Sequence, residues 1–94
     1  MFIHIGEGRM VDTKEIVAIL DMRSAREAPD TREFLWALES EGRTEILGEG
    51  NRSVVLVRRR DGQFGYYSPI QTVTLQGRCD QAYFEGKDDS IHGN

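Results

Sequence analysis

Apolar positions along the chain fall into short clusters, separated by glycine pairs or by charged breaks. Met1–Ile5 is rich in β-branched and aromatic residues and reads as a strand. Gly6-Glu7-Gly8 permits positive φ and a tight reversal, after which Arg9-Met10-Val11 returns as a second strand. Asp12-Thr13 is the next break. Glu15–Leu20 favours extended structure, but it does not alternate. That pattern predicts burial on both faces, or a partner over the second one. So small a chain has little material for covering both faces, which points toward self-association.

Asp21–Pro29 is polar, ends in proline and reads as a loop. Asp30 then fits a helix N-cap, with Glu33 placed to reach back. Phe34, Leu35, Ala37 and Leu38 form a stripe at helical spacing, with Trp36 off it. Gly42 is the expected stop. Thr44–Leu47 reads as a short strand and Gly48-Glu49-Gly50-Asn51 as another reversal. Ser53–Val57 is the clearest strand, and Asp61-Gly62 signals a hairpin that returns through Phe64–Tyr67. Ser68-Pro69-Ile70-Gln71 has a helix-start signature, although Thr72–Leu75 has strand propensity. The pattern fades after Leu75.

The predicted fold is α+β: a small antiparallel or mixed sheet, one main helix and a short C-terminal helix. A domain over residues 1–78 is expected, with 79–94 an acidic, polar and disordered tail. The net charge of −4 bears on that division: residues 1–78 hold 11 basic and 12 acidic groups, and the remaining excess lies in the tail. Ten of those 11 basic residues are arginines, which suit bidentate contacts to phosphate or carboxylate.

Several functions are excluded by what the sequence lacks. The longest apolar run, Ile16–Leu20, is five residues, against about 20 for a membrane-spanning helix. Met1 leads straight into Phe2–Ile5 without the basic head of a secretory signal. The single cysteine, Cys79, permits no internal disulfide, and a cytosolic, thiol-reducing compartment is expected. His4 and His92 have no companions at metal-ligand spacing. Ser24, Ser53 and Ser68 lack a nucleophile-elbow context, and Asp12, Asp21 and Glu33 form no recognisable acid–base pair in sequence. The two glycine pairs lack the third glycine and following helix of a dinucleotide loop, and so read as turns. The expectation is a protein that is not an enzyme and holds no cofactor. Arg58-Arg59-Arg60, at the hairpin tip, is the most basic stretch and is suited to a phosphate backbone. Arg52 belongs to the same argument.

The ordered series of segments resembles the RemA/RemB family of bacterial extracellular-matrix regulators. It runs through Ile5-Gly6-Glu7-Gly8, Glu15-Ile16-Val17-Ala18-Ile19, Arg32-Glu33-Phe34-Leu35 and Gly42-Arg43. It continues through Arg52-Ser53-Val54-Val55-Leu56-Val57, Tyr66-Tyr67-Ser68-Pro69-Ile70 and Thr74-Leu75. Together these span residues 2–78, and Tyr66–Pro69 is similar to the RemB side. The resemblance implies a DNA-binding activator of biofilm-matrix genes, assembled into closed rings with DNA along a basic rim. The family's binding arginines follow the second strand and occupy the turn before the longest strand. Here those positions are Glu15, with Lys14 beside it, and Glu49 with Gly50; Arg52 alone keeps an arginine of that region. Carboxylates there repel a phosphate backbone. The candidate phosphate contacts are therefore Lys14, Arg52, Arg58, Arg59 and Arg60. The alternative implied is a homo-oligomeric scaffold, or protein-binding module, that has given up DNA.

Overall fold

The computed structural model describes the backbone of residues 1–92 and the side chains of residues 1–83. Two strands, β1 (Phe2–Gly6) and β2 (Arg9–Asp12), form an antiparallel hairpin. Gly6, Glu7 and Gly8 all have positive φ at its turn, as the paired glycines imply. A 3-10 turn over Thr13–Glu15 leads into β3 (Ile16–Asp21). Asp12 caps that turn by accepting from the Lys14 backbone N–H, which holds its carboxyl below the usual carboxylate range.

The main sheet contains β3, β4 (Thr44–Ile46), β5 (Ser53–Arg59) and β6 (Gly62–Ser68), in the order β3-β5-β6-β4. β4 runs parallel to β6, and the other pairs are antiparallel. The β5–β6 reversal places Arg60 and Asp61 in the loop, and Gly62 takes φ +125°. Arg43 fastens this tip: its Nε donates to the Gln63 carbonyl at 2.6 Å and its guanidinium meets Asp61 at 3.3 Å. The hydrogen bond, and then the charge, of Arg43 hold the Asp61 carboxyl below its ordinary range.

Residues 21–29, expected as a loop, instead form α1 (Met22–Glu27) and the start of α2 (Pro29–Ser40). Asp21 caps α1 by accepting from the Ser24 N–H at 3.0 Å. Pro29 begins the second helix rather than ending a loop, because its missing N–H costs nothing at the first helical position. The N-cap is Ala28, and Asp30 lies within the first turn, where a carboxylate favours the helix dipole. Gly42, at φ +71°, ends α2: its N–H donates to Glu39 and the Arg43 N–H to Leu38. Leu35 and Leu38 are the buried members of the predicted stripe, while Trp36 is 59% exposed beneath the Arg32 guanidinium.

This chain covers both faces of its own sheet. Met22, Ala25, Leu35 and Leu38 of the two helices pack on Val54, Leu56 and Tyr67. Ile3, Ile5 and Val11 of the hairpin, with Leu75 and Ala82 of α3 (Thr72–His92), pack on Val55, Val57 and Tyr66. Ala18 and Leu20 of β3 pack against the first of these clusters and Ile16 and Ile19 against the second, so the non-alternating run Ile16–Leu20 is explained without a second subunit, which corrects the reason given for self-association. In β3 a bulge between Ile16 and Ala18 turns Val17 outward, 53% exposed.

The expected helix start at Ser68 also changes place. Ser68 is the last residue of β6, fully buried, and the C-terminal helix begins at Thr72. The Ser68 hydroxyl donates to the Ile5 carbonyl at 2.6 Å and accepts from the Ile70 N–H at 3.0 Å. From Ser53, the residue paired with it across the sheet, a hydroxyl donates to the Ile70 carbonyl at 2.8 Å. Leu75, Cys79 and Ala82 then recur on the inner face of α3, and Arg78 donates to the His4 carbonyl at 2.7 Å. The helix has no break at Arg78. The expected disordered tail begins within it, and its side chains beyond residue 83 lie outside the described residues.

Tyr67 joins α2 to the sheet by donating its hydroxyl to Glu39 Oε1 at 2.5 Å. Burial, followed by the hydrogen bond and charge of Glu39, pushes the phenol above its ordinary value of 10. A folded-state value above the unfolded one gives stability that is full below pH 10 and is lost as pH rises beyond it. Absorbance titration should show one tyrosine resisting ionisation until the chain unfolds in alkali. Tyr67→Phe should remove that step and leave less alkaline loss of stability.

Candidate nucleic-acid interface

The candidate basic residues lie in two groups. Lys14 sits in the 3-10 turn before β3, and Ile16 at the start of that strand pairs with Val57 near the end of β5. Lys14 therefore shares one end of the sheet with Arg58, Arg59 and Arg60. Arg52 precedes β5, at the opposite end. Seven strand residues at about 3.3 Å each separate the groups by roughly 20 Å.

Arg58 and Arg60 are exposed at the hairpin, whereas the Arg59 guanidinium is engaged locally. It lies 4.8 Å from the centre of the Phe64 ring and 5.4 Å from that of Tyr66, and it donates to the Tyr66 hydroxyl. Cation–π attraction and this hydrogen bond hold Arg59 against its own sheet. Among the described residues, side-chain ion pairs engage Arg9, Arg23 and Arg43. Lys14, Arg26, Arg52, Arg58 and Arg60 have no carboxylate within ion-pair distance among the described residues.

Arg52 is fixed through its backbone. Its N–H donates to the Ser68 carbonyl at 2.8 Å, and its carbonyl accepts from the Met22 N–H at 3.0 Å. This places it beside Arg23 and Arg26 of α1, two basic residues not recognised from the sequence. The available signal was Asp21 as a cap three residues before Ser24, followed by good helix formers through Glu27.

Of the three positions where the resemblance implies arginines, Glu15 and Glu49 carry the opposite charge and Gly50 carries none. Glu15 closes the 3-10 turn. Glu49 lies in the Gly48–Gly50 turn, which lines one groove with Glu7, Arg9 and Glu45. The Arg9 guanidinium makes two hydrogen bonds to the Glu45 carboxylate, at 2.8 and 2.9 Å. With Arg9 so occupied, that groove presents Glu7 and Glu49 and is a poor place for a phosphate.

Cys79 is partly buried beside Asp80, and burial followed by that charge raises its thiol pKa, which disfavours the reactive thiolate. Among the described residues no group of three or more His, Cys, Asp or Glu is placed to hold a metal ion, and no helix is long and apolar enough to cross a membrane.

The fold is a small α+β domain, and among its described residues several exposed arginines stand outside any ion pair. Residues 2–79 match the RemA-like family, described as extracellular matrix regulatory protein A-like. The chain is also similar to extracellular matrix regulatory protein B of Bacillus subtilis (strain 168). Those two are 34% identical over 85 residues, 90% of this chain and 96% of that protein. The chain belongs to the RemA-like family of extracellular matrix regulatory proteins, on the RemB side.

Proposed function

We propose that this protein is a cytoplasmic, homo-oligomeric regulator of extracellular-matrix (biofilm) genes that contacts DNA through phosphates. The observation that carries the proposal is the set of exposed basic side chains without acidic partners among the described residues, Lys14, Arg52, Arg58 and Arg60, in a member of this family. Unpaired guanidinium groups at a hairpin tip and at a strand start supply charge-assisted contacts to a phosphate backbone. They carry no base readout, so binding is weak and electrostatic. Self-association is supported by apolar side chains on both free edges of the sheet: Val17 on β3 and Ile46 on β4, which is 64% exposed.

A second reading is favoured by Glu15 and Glu49: an oligomeric scaffold that works through a protein partner instead of DNA. The Glu15→Arg/Glu49→Arg variant separates the two. On the DNA reading the parent binds mixed-sequence duplex at low salt, and the variant binds at least about tenfold more tightly, since each new phosphate contact adds charge-assisted attraction. If neither protein shifts any duplex at low salt, the scaffold reading holds.

A further inference from the structure

A groove of about 630 Å³ opens between α1, the start of β5 and the first turn of α3. Arg23, Arg26 and Arg52 reach it from two elements that are distant in sequence. Arg23 and Arg26 lie three residues apart on one side of α1, and Arg52 is locked to both Met22 and Ser68 by its backbone. The opposite wall is the start of α3, Gln71–Val73. There the Thr74 and Leu75 N–H groups both turn back to the Gln71 carbonyl, and no side-chain hydrogen bond caps the preceding amides among the described residues.

Two carboxylates also line the groove. Asp21 is turned to the Ser24 N–H and hydroxyl at 3.0 and 3.2 Å, and Glu27 lies 3.6 Å from Arg23. Among the described residues, Arg26 and Arg52 are left without an acidic partner. Two uncommitted guanidinium groups facing the positive end of a long helix across an open groove make a setting for a compact, multiply charged anion.

We infer that this groove binds phosphate groups, with Arg26 and Arg52 as the principal ligands and Arg23 as the third. The site extends the DNA reading, because a phosphodiester is one source of such a group. A free phosphorylated small molecule is the other. The site is distinct from the hairpin arginines, at the far end of the sheet, and from the Glu15 and Glu49 positions.

Calorimetric titration of the full chain at low salt with inorganic tripolyphosphate, and separately with a mixed-sequence duplex, tests the inference. Arg26→Gln/Arg52→Gln is compared with Arg58→Gln/Arg60→Gln; all four side chains are exposed, and circular dichroism checks that each variant is folded. The groove variant should lose about 100-fold in tripolyphosphate affinity, two charge-assisted contacts being removed. The hairpin variant should keep parental affinity for that ligand. Arg26→Lys/Arg52→Lys, which retains charge without the guanidinium fork, should fall between. If the groove variant weakens duplex binding as well, the phosphate is that of DNA. Binding of tripolyphosphate through the groove, with no duplex bound, keeps the site, assigns it to a free phosphate compound and removes the DNA reading. Duplex binding by the parent with no tripolyphosphate bound and no effect of the groove variant overturns the site and leaves the DNA reading intact. If the parent binds neither ligand, both fall.

Discussion

Leu75→Ala should lower stability by about 3 kcal/mol, within the range for deleting a fully buried leucine. Leu75 is completely buried and is the first inward residue of α3, set among Ile5, Val55 and Tyr66 in the core shared by hairpin, sheet and helix. Its loss opens a cavity where three elements meet, and none of them is free to collapse into it. In a domain of this size the melting temperature should fall by about 15 °C. Leu75→Met, which conserves volume, should cost less than about 1.5 kcal/mol. Thermal and urea unfolding followed by circular dichroism measure both. A fall of only a few degrees in the alanine variant would mean that α3 is not part of the cooperative fold.

Ser68→Val should be comparably damaging for a different reason. The bulge in β1 takes Ile5 out of the hairpin ladder, and its carbonyl turns to the Ser68 hydroxyl. That same hydroxyl receives the Ile70 N–H. Valine strands a buried carbonyl and an amide at once, at about 1–3 kcal/mol for each unsatisfied group, so a loss of about 3 kcal/mol is expected. Ser53→Ala removes a single bond, to the Ile70 carbonyl, and should cost about 1 kcal/mol. Equal effects of the two substitutions would show that Ser68 is not the junction between hairpin and sheet.

The fold is legible in the sequence where local chemistry decides it. Paired glycines mark the β1–β2 reversal, and Val54–Val57 and Phe64–Tyr67 mark the central hairpin. The misplaced start of α3 has an instructive cause. A serine that accepts from an N–H two residues on makes the same local bond in a turn as in a helix cap, so Ser68-Pro69-Ile70 looks alike in both. What decides is the pairing of Ser68 with Ser53, a contact that local pattern does not carry. Likewise α1 is short and polar, and it is made stable by docking Met22 and Ala25 under the sheet. Missing α1 hid Arg23 and Arg26, so the neighbours of Arg52 could not be foreseen. The local engagement of Arg59 depends on strand register: Arg59 pairs with Gly62, which brings Phe64 and Tyr66 within its reach.

Phosphate contact by the surplus arginines makes duplex affinity depend steeply on salt, which a salt series measures. Fluorescence anisotropy would compare the parent with Arg58→Ala/Arg60→Ala. Arg59 is left in place because its guanidinium is already held by Phe64 and Tyr66. The parent should bind with log affinity falling linearly against log salt, and the double variant should bind more weakly, with a slope shallower by about two. A parent that binds no duplex even at low salt would rule out phosphate contact and leave the oligomeric scaffold in its place. A double variant with the parent's slope would remove the hairpin from the contact.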